Sequence, residues 1–496
     1  MMKTRNLLQT MVAATMLAGT GAAMAAKPVA AAGKPNILLF YVDDLGWMDL
    51  GCHGSKFYET PNMDRLAREG VRFTQGYTAH PRCLPARYGV MTGKFPARGG
   101  VPGRSHLSPE EFTMAEALQE GGYKTFFAGK WHLAAKHGEA GLPENQGFDV
   151  NIAGGESGAP KNYFYPYRKK DVSELPEGWE KGLSKQAIHG LEDGEEGEYL
   201  TDRLTDETIK FIKDNKDEPF FAFLSHYAVH TPFQAPEHLI EKYRKKLETM
   251  EYDLPESRPV KEKSGTGSTK LRQDNAVYAA MIESVDQSLG RLFDTLEQEG
   301  IADNTVVVLT ADNGGLSNGG TNTRRKLATS NYPLRTGKGW LYEGGIREAF
   351  MVKWPGVTKP GTLNERDVVV GTDLYPTFLE MAGLPLRPQD HVDGVSFVAA
   401  LKGETFVREK PVFWHSPLGR PYSTGDLNSS AIRKGDYKLL DCYGEDHFEL
   451  YNVQEDAGEN NDLAEAMPEK AQELLKELRD WREEIDALTR PQRWGK

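Results

Sequence analysis

The sequence predicts an α/β fold: a mostly parallel sheet sandwiched by helices, followed by a smaller C-terminal α+β domain. Three observations predict it. Runs such as Ile37-Leu38-Leu39-Phe40-Tyr41-Val42, Phe220-Phe221-Ala222-Phe223-Leu224 and Val306-Val307-Val308-Leu309 are apolar on both faces, as strands covered by helices on two sides are. Helical stretches alternate with such runs as far as about Leu384, the pattern of parallel strands joined by crossovers. After Asp393-Gly394 short strands follow in hairpin order, and one amphipathic helix closes the chain. The expected division is a signal peptide over 1–26, a catalytic domain over 34–390 and a small domain over 391–496.

Composition narrows the function. The chain has 496 residues and a formal net charge of −12. That balance argues against a nucleic-acid partner, which selects basic surfaces. Any anionic substrate has to be held by local cations in a pocket. Lys3 and Arg5 precede a mostly apolar stretch from Leu7 to Ala23, and Ala23-Met24-Ala25 has the small-x-small form of a cleavage site. Export to the periplasm or beyond is therefore expected, with no membrane span, since no later stretch is long and apolar enough. Only three cysteines occur, Cys52, Cys83 and Cys442. An odd count in an exported protein leaves one unpaired or modified. Whether Cys52 and Cys442 pair stays open.

In chain order, the strand ending at Val42 runs into Asp43-Asp44, two acids at the carboxyl end of a buried strand. Such a pair needs a positive partner, and a divalent ion is the natural one. A helix opens at Thr60-Pro61, and Val71-Arg72-Phe73 is a short strand. A helix is expected over Glu110–Gly121 and a strand over Tyr123–Ala128, with Lys130 and His132 just beyond it. Glu156 to Tyr199 reads as a long surface excursion. Helices are expected over Thr205–Asn215 and Asn275–Gln298, and Pro255 to Thr269 reads as polar and flexible. The strand Pro219–Ser225 leads to His226 and His230, and the strand Thr305–Thr310 leads to Asp312-Asn313. Arg335 and Lys338 lie in a Gly-rich loop without the spacing of a nucleotide-binding P-loop. Asp43, Asp44, Asp312 and Asn313 together offer hard oxygen ligands from two strand ends. They suit calcium, with magnesium open, and not zinc or copper.

The chemistry centres on Cys83-Leu84-Pro85-Ala86-Arg87, continued by Tyr88-Gly89-Val90-Met91-Thr92-Gly93. Pro85 fits the first turn of a helix, which sets Cys83 at a helix N-terminus, an end that favours anions. Arg87 lies one helical turn on. A lone cysteine here would be read as buried and structural. The C-x-P-x-R-x4-T-G form resembles the signature of the sulfatase family. The resemblance extends to Asp43-Asp44, Gly129-Lys130-Trp131-His132, His230-Thr231-Pro232, Asp312-Asn313-Gly314-Gly315, Gly337-Lys338-Gly339 and Glu449-Leu450-Tyr451-Asn452. Ala134 departs from it, since relatives commonly carry glycine there.

The resemblance implies an alkaline-phosphatase-like sandwich and a type I sulfatase, a hydrolase of sulfuric esters acting on a sulfated carbohydrate. It implies that a formylglycine-generating enzyme oxidises Cys83 to formylglycine, whose gem-diol attacks sulfur and forms a sulfoenzyme intermediate. It further implies calcium held by Asp43, Asp44, Asp312, Asn313 and residue 83. Arg87 would orient the nucleophile, and Lys130 and Lys338 would bind sulfate oxygens. His132 would take a proton when sulfate is expelled, and His230, with Lys338, would protonate or stabilise the leaving alcohol. His226 is read as structural. An acidic protein with a pocket favours exo action on poly- or oligosaccharide ends. Tyr163, Phe164, Tyr165, Tyr167 and Trp340 suit either sugar stacking or packing, and Trp414, His415 and Arg420 are candidates for the pocket mouth. The competing readings are a phosphate or phosphonate monoester hydrolase of the same fold, and a binding protein that has lost activity.

Overall fold

The structure, a computed structural model, describes residues 33–101, 106–135, 141–167, 188, 190–321, 326–443 and 447–489. The signal-peptide expectation for 1–26 lies outside them. Residues 34–496 form one unit. The chain opens with β1 (Asn36–Val42), α1 (Pro61–Glu69), β2 (Val71–Tyr77), α2 (Cys83–Thr92), α3 (Met114–Glu120), β3 (Lys124–Gly129) and β4 (Val150–Ile152). Next come α4 (Leu200–Asp214), β5 (Phe220–His226), α5 (Glu237–Leu247), β6 (Ser257–Glu262), β7 (Gly265–Lys270) and α6 (Ala276–Gln298). The first part ends with β8 (Thr305–Ala311), β9 (Asn318–Gly319), β10 (Arg347–Lys353), β11 (Thr362–Asn364), β12 (Val369–Val370) and α7 (Leu374–Met381). Four strands, β13 (Val412–Ser416), β14 (Ser429–Lys434), β15 (Tyr437–Cys442) and β16 (His447–Asn452), and α8 (Pro468–Glu484) complete it.

Among the described residues nine strands form the central sheet, in the order β11-β2-β10-β8-β1-β5-β3-β4, with β12 also beside β2. β1 pairs in parallel with β5 and β8, and β3 with β4 and β5. Among these described strands only β10 runs antiparallel to its neighbours, β2 and β8. Side-chain alternation along β1 divides the core between two faces. Leu38, Phe40 and Val42 join a cluster built with α4, α5 and α6. Ile37, Leu39 and Tyr41 join one built with α2, α3 and α7. This is why β1 is apolar at every position.

β13 to β16 form an antiparallel sheet in chain order. Its inner face and α8, through Leu474, Leu475 and Leu478, share a core with Tyr77, Trp340 and Ile346 of the first part. Lys438 crosses this junction. Its buried ammonium lies 2.8 Å from Glu343 and 2.7 Å from Glu459.

Several elements differ from their sequence reading. The segment expected to be flexible folds into the β6–β7 hairpin, which β9 extends to three strands. The helix expected from Glu110 starts at Met114, because Thr113 caps it by accepting from the Glu116 amide. The strand expected over Val71–Phe73 runs on to Tyr77.

Asp49 braces the loop after β1. Its carboxylate accepts from the Gly46 amide at 2.8 Å, the Tyr278 hydroxyl at 2.7 Å and the Thr329 hydroxyl at 2.6 Å. Burial nevertheless pushes its pKa up to about 7. The folded state then binds a proton that the unfolded chain has lost between about pH 4 and 7, so stability falls as pH rises through that window. Wild type should lose up to about 4 kcal/mol relative to Asp49→Asn between pH 4 and 8. Urea unfolding of both proteins at the two pH values checks this, and parallel pH profiles would refute it.

Candidate active site

The four parallel neighbours β8, β1, β5 and β3 all end on one rim of the sheet, where open α/β folds place their sites. β1 delivers Asp43 and Asp44, β8 delivers Asp312 and Asn313, β5 leads to His230, and β3 leads to Lys130 and His132. Consecutive residues of a strand point to opposite faces. Asp44 escapes this through a left-handed backbone, φ 60°, and so shares one site with Asp43. The loop after β5 is tied back to β1 by two bonds, Asp43 amide to Ala228 carbonyl at 3.0 Å and Val229 amide to Asp43 carbonyl at 2.7 Å. Those bonds bring His230 Nε2 within 3.7 Å of Asp44 Oδ2.

Ligand oxygens of Asp43, Asp44 and Asp312 lie within 4.8 Å of one another, all buried. Lys130 Nζ donates to Asp43 Oδ2 at 2.6 Å, and Lys338 Nζ donates to Asp44 Oδ1. Asn313 Nδ2 donates to Asp44 Oδ1 at 2.7 Å. Two buried oxygens, Asp43 Oδ1 and Asn313 Oδ1, have no hydrogen-bond partner among the described residues. Burial, with Asp312 beside it, pushes the Asp43 carboxyl well above its usual range. Lys338 and His230 overcome burial at Asp44 and hold that carboxyl below its usual range. Three crowded carboxylates and two orphaned oxygens fit a hard divalent cation.

Cys83 is the first residue of α2, with Arg82 preceding it as cap. Burial would raise its thiol, but Lys130, His132 and Lys338 outweigh burial and hold it well below the usual thiol range. His132 also sits in the left-handed region, φ 64°, and its amide donates to Gly155 at 2.9 Å. Gly158 packs on the His132 ring so closely that a Cβ there would lie 2.5 Å from Cε1. Any side chain at 158 would therefore displace the ring. Burial lowers the His132 pKa and brings that of His230 down to about 3.

Arg87 is a brace under the site. Its Nε and one terminal nitrogen donate to Asp312 Oδ2 at 3.0 and 2.8 Å. The other terminal nitrogen donates at 2.6 Å both to the Lys130 carbonyl and to the Ser225 hydroxyl. Sequence reasoning missed Ser225 and also Thr78, whose hydroxyl donates to the Asp312 carbonyl at 2.6 Å. A polar residue ending the apolar run Phe220–Leu224 was the available signal for Ser225. Nothing in the sequence pointed to Thr78.

A cavity of about 600 Å³ opens over Cys83, lined also by His132, His230, Lys338, Lys161 and Arg420. Of the candidates for its mouth, Arg420 lies there. Trp414 is buried and donates to the Thr78 carbonyl at 2.8 Å, and His415 bonds Ser430 and the Leu488 carbonyl. Tyr163, Tyr167 and Trp340 are buried, and Phe164 and Tyr165 pack against the core. His226 is buried against Ser288 at 3.0 Å, as a structural residue is. Arg335 lies over the Tyr342 ring, 4.0 Å from its centroid, and pairs with Glu262 at 2.6 Å. Cys52 and Cys442 are not joined by a disulfide. Among the described residues no helix is long and apolar enough to cross a membrane.

The fold and the site define a hydrolytic centre on an α/β sheet: a strand-end carboxylate cage, a cysteine at a helix N-terminus, and cations that suit a tetrahedral oxyanion. The family profile described as Sulfatase matches residues 35–384, and that of the N-sulphoglucosamine sulphohydrolase C-terminal region matches residues 336–487. The chain belongs to the sulfatase family. It is 31% identical to a sulfatase of Formosa agariphila, over 90% of this chain and 88% of that protein. It is 30% identical to human arylsulfatase A over 92% and 90%, and 31% identical to dog N-acetylgalactosamine-6-sulfatase over 80% and 70%. Among solved structures, Ps i-CgsB in complex with k-i-k-neocarrahexaose superposes with a TM-score of 0.72 at 29% identity, covering 90% of this chain and 93% of that one.

Proposed function

We propose that this sulfatase is an exported enzyme that removes sulfate from the ends of a sulfated poly- or oligosaccharide. One observation carries the reading: Lys130, Lys338, His132 and His230 converge with the carboxylate cage on residue 83 at the N-terminus of α2. Dog N-acetylgalactosamine-6-sulfatase and the oligosaccharide-bound Ps i-CgsB, by their names, support a carbohydrate substrate. In this reading Cys83 is matured to formylglycine by a formylglycine-generating enzyme, and Asp43, Asp44, Asp312 and Asn313 hold calcium. When present, the aldehyde hydrate supplies both an attacking hydroxyl and a way to expel the captured sulfate, and the cation stabilises charge on oxygen.

The residues of the chain do the rest. Lys130 and Lys338 supply positive charge where sulfate oxygens gather charge in the transition state. His132 accepts a proton at position 83. Arg87 positions Asp312 and the Lys130 backbone through fixed bonds. His230 Nδ1 lies 2.9 Å from the Thr231 carbonyl, which takes its N–H, so Nε2 carries a transferable proton only in the imidazolium form. An anionic ester in the site favours that form, which ties proton delivery to substrate binding.

His230→Ala should lower kcat on a sugar sulfate by about 10²–10⁴, and far less on an aryl sulfate whose leaving phenolate needs no acid. Equal losses on both substrates would remove the leaving-group role. Sulfate release across a panel of defined sulfated saccharides, with a phosphate ester as control, tests the reading as a whole. Phosphate release exceeding sulfate release would replace it with the phosphoester reading.

A further inference from the structure

The residues lining the cavity include four cations, Arg82, Lys161, Lys338 and Arg420, and no carboxylate among the described residues. This occurs in a protein of net charge −12. Behind the wall Lys338 pairs with Asp44, and Arg82 pairs with Asp426 and the Ser416 hydroxyl. Lys161 and Arg420 are the exposed pair. They stand on different loops, and the backbone around each is held by fixed bonds.

Lys161 lies in the loop after β4 between two anchors. Gly158 is packed on the His132 ring, and the Tyr163 hydroxyl donates to the carbonyls of Tyr227 at 2.7 Å and His230 at 2.9 Å. The Tyr163 amide also donates to Gln234 at 2.9 Å. Both ends of the short segment carrying Lys161 are thus fixed to the loops that bear the two histidines. Arg420 opens a tight turn in which its carbonyl accepts from the amides of Ser423, Thr424 and Gly425 at 3.0 to 3.1 Å. Asp426, just past that turn, pairs with Arg82, the residue before Cys83. Trp340, two residues after Lys338, donates to the Thr424 carbonyl at 2.7 Å. The backbones bearing both cations are therefore registered to the nucleophile position.

A lone sulfate ester needs neither of them, since Lys130 and Lys338 already serve its oxygens. We infer that Lys161 and Arg420 form a subsite for a second anionic group, so the enzyme selects saccharides that carry another sulfate or a uronate carboxylate beside the scissile sulfate. This rests on the carbohydrate sulfatase reading above. A guanidinium gives paired, directional bonds to either oxyanion, and a lysine adds point charge.

Calorimetry on the Cys83→Ala protein, where nothing turns over, tests the inference. The probes are N-acetylglucosamine 6-sulfate, glucosamine 2-N,6-O-disulfate, and a disaccharide of uronic acid and N-acetylgalactosamine 6-sulfate. At least one two-anion probe should bind about 10-fold tighter than the single-anion probe. Arg420→Gln or Lys161→Gln should cut that advantage to about 2-fold, and Arg420→Lys should restore part of it. The advantage should also shrink as salt rises. Which two-anion probe gains identifies the second group as sulfate or carboxylate. Equal affinity for all three probes, or an advantage that survives both substitutions, would overturn the subsite and leave the sulfatase reading standing. Failure of every probe and of inorganic sulfate to bind would overturn both.

Discussion

Cys83→Ala should abolish sulfate release while the protein stays folded: the expected loss is at least about 10⁴-fold in kcat, with the unfolding midpoint little changed. The size follows from the site. Lys130, His132 and Lys338 surround position 83, and alanine offers no atom there to attack sulfur or to give up a proton. Stability is spared because the side chain is small and partly exposed, and the α2 N-terminus keeps its backbone bond from the Ala86 amide to the Arg82 carbonyl at 3.1 Å. Cys83→Ser separates nucleophile from modification. A serine left unconverted should be nearly as inactive, since one hydroxyl cannot both attack and release sulfate. Sulfate release by ion chromatography, with the mass of the Cys83 peptide recorded for wild type, provides the measurement. Multiple turnover by Cys83→Ala at the wild-type rate would sink the mechanism.

Much of this was legible in the sequence, for a physical reason. Strands buried on both faces must be apolar throughout, so β1, β5 and β8 announce themselves, and acids directly after them stand out as costly. The catalytic candidates follow the strand ends because the parallel sheet gathers those ends on one rim. The β6–β7 hairpin escaped because β6 is mostly exposed, at Ser257, Arg258 and Pro259 for example, and neither strand carries an apolar alternation. The aromatics Tyr163 and Trp340 were ambiguous for the opposite reason. A large ring with a polar tip suits a sugar platform or a core, and only the three-dimensional bonds at Tyr227, His230 and Thr424 decide for the core. The brace formed by Arg87, Ser225 and the Lys130 carbonyl joins three distant segments, which no local pattern encodes.

Asp312→Asn tests that brace and the cation site together. Asp312 Oδ2 accepts twice from Arg87, and its Oδ1 accepts from the Asp44 amide at 3.1 Å. Both oxygens face donors, so an amide of the same shape must turn its NH2 towards one of them. Neither orientation satisfies the site. The buried guanidinium also loses its nearer carboxylate and keeps only Asp43 at 3.9 Å, a change of about 3–5 kcal/mol in stability. Of the three carboxylates crowded within 4.8 Å, two remain, and the pull on a divalent cation weakens. Wild type should gain roughly 2.7 kcal/mol of stability at calcium 100-fold above its Kd and lose it to a chelator. In Asp312→Asn that calcium-dependent rise should vanish, with kcat at least about 10³-fold lower. Thermal unfolding with calcium, with magnesium and with chelator reads the cation effect without relying on turnover. A variant that keeps both its calcium-dependent stability and its sulfate release would show that Asp312 neither holds the ion nor anchors Arg87 in the way the bonds imply.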